Sequence, residues 1–137
     1  MGEREKRGAI ERHWEVAAHD QVAAQEIYHE DVVVEWPQSG ERIRGVHNLK
    51  ALRESYPAAL TFTVRRIIGR DDLWVSEYVI TYDGSSRTNV ISVMEFRGDR
   101  LARETHYFGQ PLDPPAWRAQ WVEPLGSIGS DPKGATP

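Results

Sequence analysis

The sequence predicts an α+β domain, and two observations carry that prediction. Apolar residues fall at helical spacing before Pro57, and period-two alternation takes over from Leu60. Gly-containing pairs, Asp83-Gly84 and Gly98-Asp99, then sit between the alternating segments where tight hairpins need a positive φ.

The first helix is expected from about Gly8 to Ala18, because Ile10, His13, Trp14 and Ala17 follow one another at i, i+3, i+4 and i+7. Asp20 is placed to cap a second, short helix whose apolar face is Ala24, Ile27 and Tyr28. Glu30 and Asp31 turn the chain into a strand, Val32 to Trp36, with Val32, Val34 and Trp36 on one face and Val33 and Glu35 on the other. Pro37, Gly40 and Gly45 punctuate a loop. Leu49, Leu52 and Tyr56 form the stripe of a third helix that Pro57 stops. Four strands rich in Val, Ile, Thr and aromatic residues are expected at Thr61 to Ile68, Leu73 to Tyr82, Arg87 to Phe96 and Leu101 to Phe108, paired as an antiparallel meander. Pro111, Pro114 and Pro115 end the sheet, and AWRAQWVE is read as a terminal helix showing Trp117 and Trp121 on adjacent turns.

Length and composition fit one such domain. The chain has 137 residues, enough for a single core, with 39% apolar and 28% charged residues. The expected division is a flexible start over residues 1–8, one domain over 9–123, and a mobile tail over 124–137 that is too poor in apolar surface to repay its ordering entropy. A net charge of −4 with basic residues scattered among acidic ones speaks against a nucleic-acid partner. No run approaches the roughly 20 apolar residues of a membrane span, and MGEREKRG lacks the apolar core of a signal peptide, so a cytoplasmic location is expected. The absence of cysteine excludes disulfides, thiolate nucleophiles and Cys-ligated zinc. The five histidines offer no close ligand pair on one element, and there is no phosphate-cradling loop, nucleophile elbow or dinucleotide signature, so neither metal nor cofactor is expected.

The order helix, helix, strand, helix and then a four-strand meander resembles the SnoaL-like proteins of the nuclear transport factor two-like superfamily, over roughly Ala9 to Val122. Two segments carry the resemblance: YHEDVVVEWPQSGERIRG, and the ending LARETHYFGQPLDPPAWRAQW. It implies a cone-shaped α+β barrel in which a curved antiparallel sheet wraps around three helices and encloses a pocket, often dimerising through the outer face of the sheet. Relatives of this kind include ketosteroid isomerases, polyketide cyclases and limonene epoxide hydrolases.

Alignment with the isomerases puts Trp36, before Pro37, where a proton-shuttling aspartate stands. Indole has only a donor N–H and does not titrate near neutrality, so isomerisation by the usual route is not expected. Ser92 falls at the position of the protonated aspartic acid and Arg12 at that of the tyrosine, with His13 or Trp14 one small shift away. A carboxylate–arginine–carboxylate set of the epoxide hydrolase kind could in principle be assembled from Glu77, Arg103 and Glu95, but alternation alone does not say whether they face one cavity.

The candidate acid/base is instead His106, with Glu104 two residues away on the same strand face to orient it. Against this stands a plainer reading, in which His106 is an ordinary half-buried sheet residue and Glu104 points to solvent. Trp14, Tyr28, Trp36, Tyr78, Ser92, Met94 and Phe108 are the candidate ligand-binding residues, suited to a small apolar or aromatic ligand. Glu77 is either a pocket carboxylate or half of an outer-face ion pair with Arg65 or Arg87. Three functions remain open: a cofactor-independent isomerase, cyclase or hydrolase on an apolar carbonyl or cyclic substrate; a non-catalytic ligand-binding module; and a dimeric scaffold.

Overall fold

A computed structural model describes residues 1–126. Helix α1 spans Glu3–Val16, α2 Gln21–Ala24 and α3 Val46–Glu54; strands β1 Tyr28–Trp36, β2 Glu41–Arg44, β3 Leu60–Arg70, β4 Leu73–Tyr82, β5 Ser86–Arg97 and β6 Arg100–Gly109 complete the main elements. A 3-10 turn, Gln25–Ile27, links α2 to β1.

The first helix starts five residues before the expected Gly8 because its charged residues have partners. Glu5 reaches back to accept from the Gly2 N–H at 2.8 Å. Lys6 is buried along its stem and donates to the Asp71 carbonyl and the Asp72 carboxylate at 2.9 and 2.8 Å. The Arg7 guanidinium lies over the Trp74 ring, 5.2 Å from its centroid. These contacts pin α1 to the turn between β3 and β4. Asp20 caps α2 as expected, accepting from the Ala23 N–H at 3.0 Å.

The sheet has six strands in the order β2-β1-β6-β5-β4-β3, so β2 and β3 are its free edges and it remains unclosed. The four later strands pair as the expected antiparallel meander, β3-β4-β5-β6, and two further features add to it. Strand β1 pairs with β6 in parallel, with Val34 opposite Glu104. The loop expected after Pro37 contains β2, which pairs antiparallel with β1, Ile43 opposite Val34. Trp36 to Glu41 is thus a hairpin, closed by the Gly40 N–H donating to the Trp36 carbonyl at 3.0 Å, with Gly40 at φ 74°. The β4–β5 hairpin turns through Asp83 and Gly84, both at positive φ, and the β5–β6 hairpin through Gly98.

Helices cover one face of the sheet. Ile10 and Trp14 of α1, Leu49 of α3, and Val34, Trp74, Tyr78, Val90, Met94 and Leu101 of the strands form the buried core. Opposite Trp74 on β3 stands Gly69, where an added Cβ would lie 2.1 Å from the indole, so this glycine is what lets the ring pack flat against the strand. After β6, the expected terminal helix is a 3-10 helix, Ala116–Trp121, and Trp117 and Trp121 are both exposed. Most of the tail expected to be mobile, from residue 127 on, lies outside the described residues. Among those described, no helix is long and apolar enough to cross a membrane.

Candidate functional site

Strand parity decides which side chains meet the helices. On β4 the inward series is Trp74, Ser76, Tyr78 and Ile80; across β5 and β6, Ser92 pairs with His106, Met94 with Glu104 and Val90 with Phe108. Between these strands, α1 and α3 lies a cavity of about 280 Å³. That volume suits a compact ring system.

Of the expected ligand-binding residues, Trp14, Trp36, Tyr78 and Phe108 line the cavity, as does His106. Tyr28, Ser92 and Met94 do not, nor does Glu104, expected beside His106 as its orienting carboxylate. They form a buried layer behind it, each with a partner. Ser92 Oγ lies 2.9 Å from His106 Nδ1 and 2.7 Å from the Tyr78 hydroxyl, which is itself 3.2 Å from the same nitrogen. Met94 receives the Ser76 hydroxyl at its sulfur, and Ser76 receives the Trp14 indole N–H.

Glu104 points inward, not to solvent, and shares the face of His106: its Oε2 stands 3.7 Å from His106 Nε2. Its Oε1 accepts from the Tyr28 hydroxyl at 2.5 Å, and Arg53 Nη2 is 3.8 Å away. Arg53 also donates to the Tyr28 oxygen at 2.9 Å. Burial penalises the Glu104 carboxylate, but the surrounding His106, Arg53 and His13 and the Tyr28 hydrogen bond outweigh it, and its pKa falls below the ordinary value. Burial likewise lowers His106, partly offset by Glu104, so the ring is neutral at pH 7. With an anionic oxygen near Nε2, that nitrogen is the natural carrier of the ring proton, which leaves the Nδ1 lone pair to the two hydroxyls.

The aligned alternatives to an isomerase tyrosine separate cleanly. Arg12 is exposed, while His13 and Trp14 line the cavity. Glu77 belongs to the outer face, paired with Arg66 and with Arg65 at 3.7 Å. Arg103 bonds Glu35 at 2.7 Å, with Glu95 at 3.9 Å, so Glu77, Arg103 and Glu95 build no water-activating set in the cavity. Arg53 is the residue that sequence reasoning overlooked. It lies four residues after Leu49 on the helical stripe, and an arginine on an apolar stripe was the available signal. Among the described residues, no group of three or more His, Cys, Asp or Glu is placed to hold a metal ion.

The SnoaL-like domain profile matches residues 9–104. The chain belongs to the SnoaL-like domain family. Among solved structures, this SnoaL-like protein is similar to an NTF-2 like protein of unknown function from Burkholderia xenovorans, with 44% identity, 92% of this chain and 99% of that chain covered, and a TM-score of 0.82. Two more distant structures share the fold alone. One is an LEH-like epoxide hydrolase from M. tuberculosis, with 21% identity, coverage of 77% and 83%, and a TM-score of 0.63. The other is a SnoaL-like protein of unknown function from Burkholderia thailandensis, with 15% identity, coverage of 80% and 98%, and a TM-score of 0.64. No curated protein matches this SnoaL-like chain in sequence.

Proposed function

We propose that the chain is a small-molecule pocket protein that moves a proton on an apolar carbonyl or cyclic compound without a cofactor, as an isomerase, cyclase or hydrolase of that kind does. The observation that carries this reading is His106. It lines an aromatic-walled cavity with a neutral ring, Nδ1 held by Ser92 and Tyr78 and Nε2 facing a buried carboxylate.

The chemistry follows from that arrangement. A substrate carbonyl entering the cavity attracts the Tyr78 hydroxyl proton, and Ser92 turns its own proton to the Tyr78 oxygen 2.7 Å away, which frees the Nδ1 lone pair of His106. The imidazole then takes a proton from the carbon next to the carbonyl, while Tyr78 donates to the developing enolate oxygen. Glu104, 3.7 Å away, stabilises the imidazolium, which returns the proton to a different carbon or to the oxygen. The proton count balances within the cavity. Trp36 supplies a flat apolar wall: its ring lies 6.4 Å from that of His106, at an interplanar angle of 17°.

A thermal-shift panel of cyclic ketones tests the binding half of this reading, since a ligand that binds only the folded state raises Tm. A turnover assay on any ligand found tests the other half. His106→Ala is expected to keep affinity and lose turnover. Unchanged turnover would remove the acid/base role and leave a binding module. Assembly belongs to the same proposal: Ile68, Leu73 and Tyr107 are exposed, and pairing of two outer sheet faces would cover them. Sedimentation equilibrium of the intact chain reads this directly, and a monomer would exclude it.

A further inference from the structure

His13 has one nitrogen committed and one open. Its Nδ1 lies 2.9 Å from the Ala24 carbonyl, and a carbonyl only accepts, so Nδ1 bears the hydrogen and Nε2 carries the lone pair. That lone pair has no hydrogen-bond partner among the described residues. Nor is it sealed in the interior: the sealed, unpartnered side-chain atoms are Gln25 Oε1 and Glu104 Oε2, whereas His13 lines the cavity.

The polar neighbours on the wall include the Tyr56, Tyr78 and Tyr82 hydroxyls, which donate as well as accept, whereas the lone pair of His13 Nε2 only accepts. Arg53 offers only donors, and Gln21 Oε1 accepts from Gln25 Nε2 at 3.2 Å. The His13 ring is held edge-on against Trp14 and Tyr28, with centroids 4.9 and 5.6 Å away, so Nε2 has a fixed direction.

We propose that His13 Nε2 is the specificity-determining acceptor of this cavity, and that the ligand is an apolar ring compound bearing a hydroxyl donor: an alcohol, a phenol or an enol. This rests on the reading of the cavity as a small-molecule site and narrows its substrate class. A ligand without a donor leaves a dry, unpaired nitrogen beside it, whereas a hydroxyl pairs with it. Such polar pairing discriminates more strongly than the addition of a methylene. Burial holds the ring neutral, with its pKa lowered to about 4, so the lone pair is present throughout the neutral range.

The test is calorimetric titration of the intact protein with β-naphthol and with its methyl ether, which share the ring system and differ in the hydroxyl proton. Wild type is expected to bind the naphthol about fivefold more tightly. His13→Asn keeps an N–H at the Nδ1 position for Ala24 and draws the acceptor back from Nε2 to an amide oxygen at about the Cδ2 position, out of reach of a hydroxyl placed for Nε2, so it is expected to bind both probes alike with little change in Tm. A fivefold preference that survives in His13→Asn overturns the proposal, as does equal binding of both probes by wild type, which leaves the cavity reading intact. Binding of neither probe overturns the cavity reading and this inference with it.

Discussion

The Tyr28 hydroxyl meets the Glu104 carboxylate at 2.5 Å, joining the start of β1 to the middle of β6 across 76 positions of sequence. The bond closes a buried chain from Arg53 through Tyr28 to Glu104 and on toward His106. It serves stability and site chemistry together, because a carboxylate sealed from water needs donors to remain charged.

Removing that donor should therefore be costly. Tyr28→Phe leaves Glu104 Oε1 with only the Arg53 guanidinium at 3.8 Å, and Oε2 already lacks a hydrogen bond. A loss of about 2–3 kcal/mol in urea unfolding is expected, as for other hydrogen bonds to charged groups. The Glu104 carboxyl should titrate at higher pH in the variant, which carbon-detected NMR would show. A loss under about 0.5 kcal/mol would mean that the bond does not stabilise the fold.

Acid should destabilise the protein earlier than carboxylates alone would. His13 drops from 6.5 to about 4 on folding, chiefly through burial, with Glu104 opposing and Arg53 and His106 adding to the shift. Between those pH values the unfolded chain binds the proton and the folded one does not, so stability falls as pH falls through this window. The span corresponds to roughly 3 kcal/mol for His13. His106, also lowered, acts in the same direction, and the depressed Glu104 adds a further loss below its ordinary range. Urea midpoints measured from pH 7.5 to pH 4 should decline steadily. In His13→Asn the decline should be shallower; an identical slope would contradict burial of a neutral His13.

At the other end of the sheet, Gly69→Ala should force Trp74 off the strand, because the new methyl would stand 2.1 Å from Cδ2 of a fully buried indole. About 2–3 kcal/mol of destabilisation is expected from this overpacking. In a Trp74→Leu background the same change should cost far less, which a double-mutant cycle measures. Equal costs in both backgrounds would place the strain elsewhere.

Much of this architecture was legible in the letters, and the exceptions have physical causes. Strand β4 runs over the expected Leu73–Tyr82, because Val, Ile and aromatic residues alternate there between a turn and Asp83-Gly84. Strand β2 escaped notice because Glu41–Arg44 holds one apolar residue, and its Pro and Gly neighbours read as a loop although they form its hairpin. The parallel pairing of β1 with β6 is non-local, and no local pattern encodes it. The spacing of Glu104 and His106 put them on one strand face, but that this face is the inner one came from three-dimensional parity alone. For His13 the stripe predicted burial correctly. What it could not show is that Ala24 takes one ring nitrogen and leaves the other open.

The most direct test of proton transfer in this cavity is deuterium exchange at the carbon next to the carbonyl of β-tetralone, followed by proton NMR in D2O. Wild type is expected to accelerate exchange over buffer, and His106→Ala to lose that acceleration by roughly a hundredfold or more. No acceleration by the wild-type protein, or the same acceleration by His106→Ala, would contradict the account.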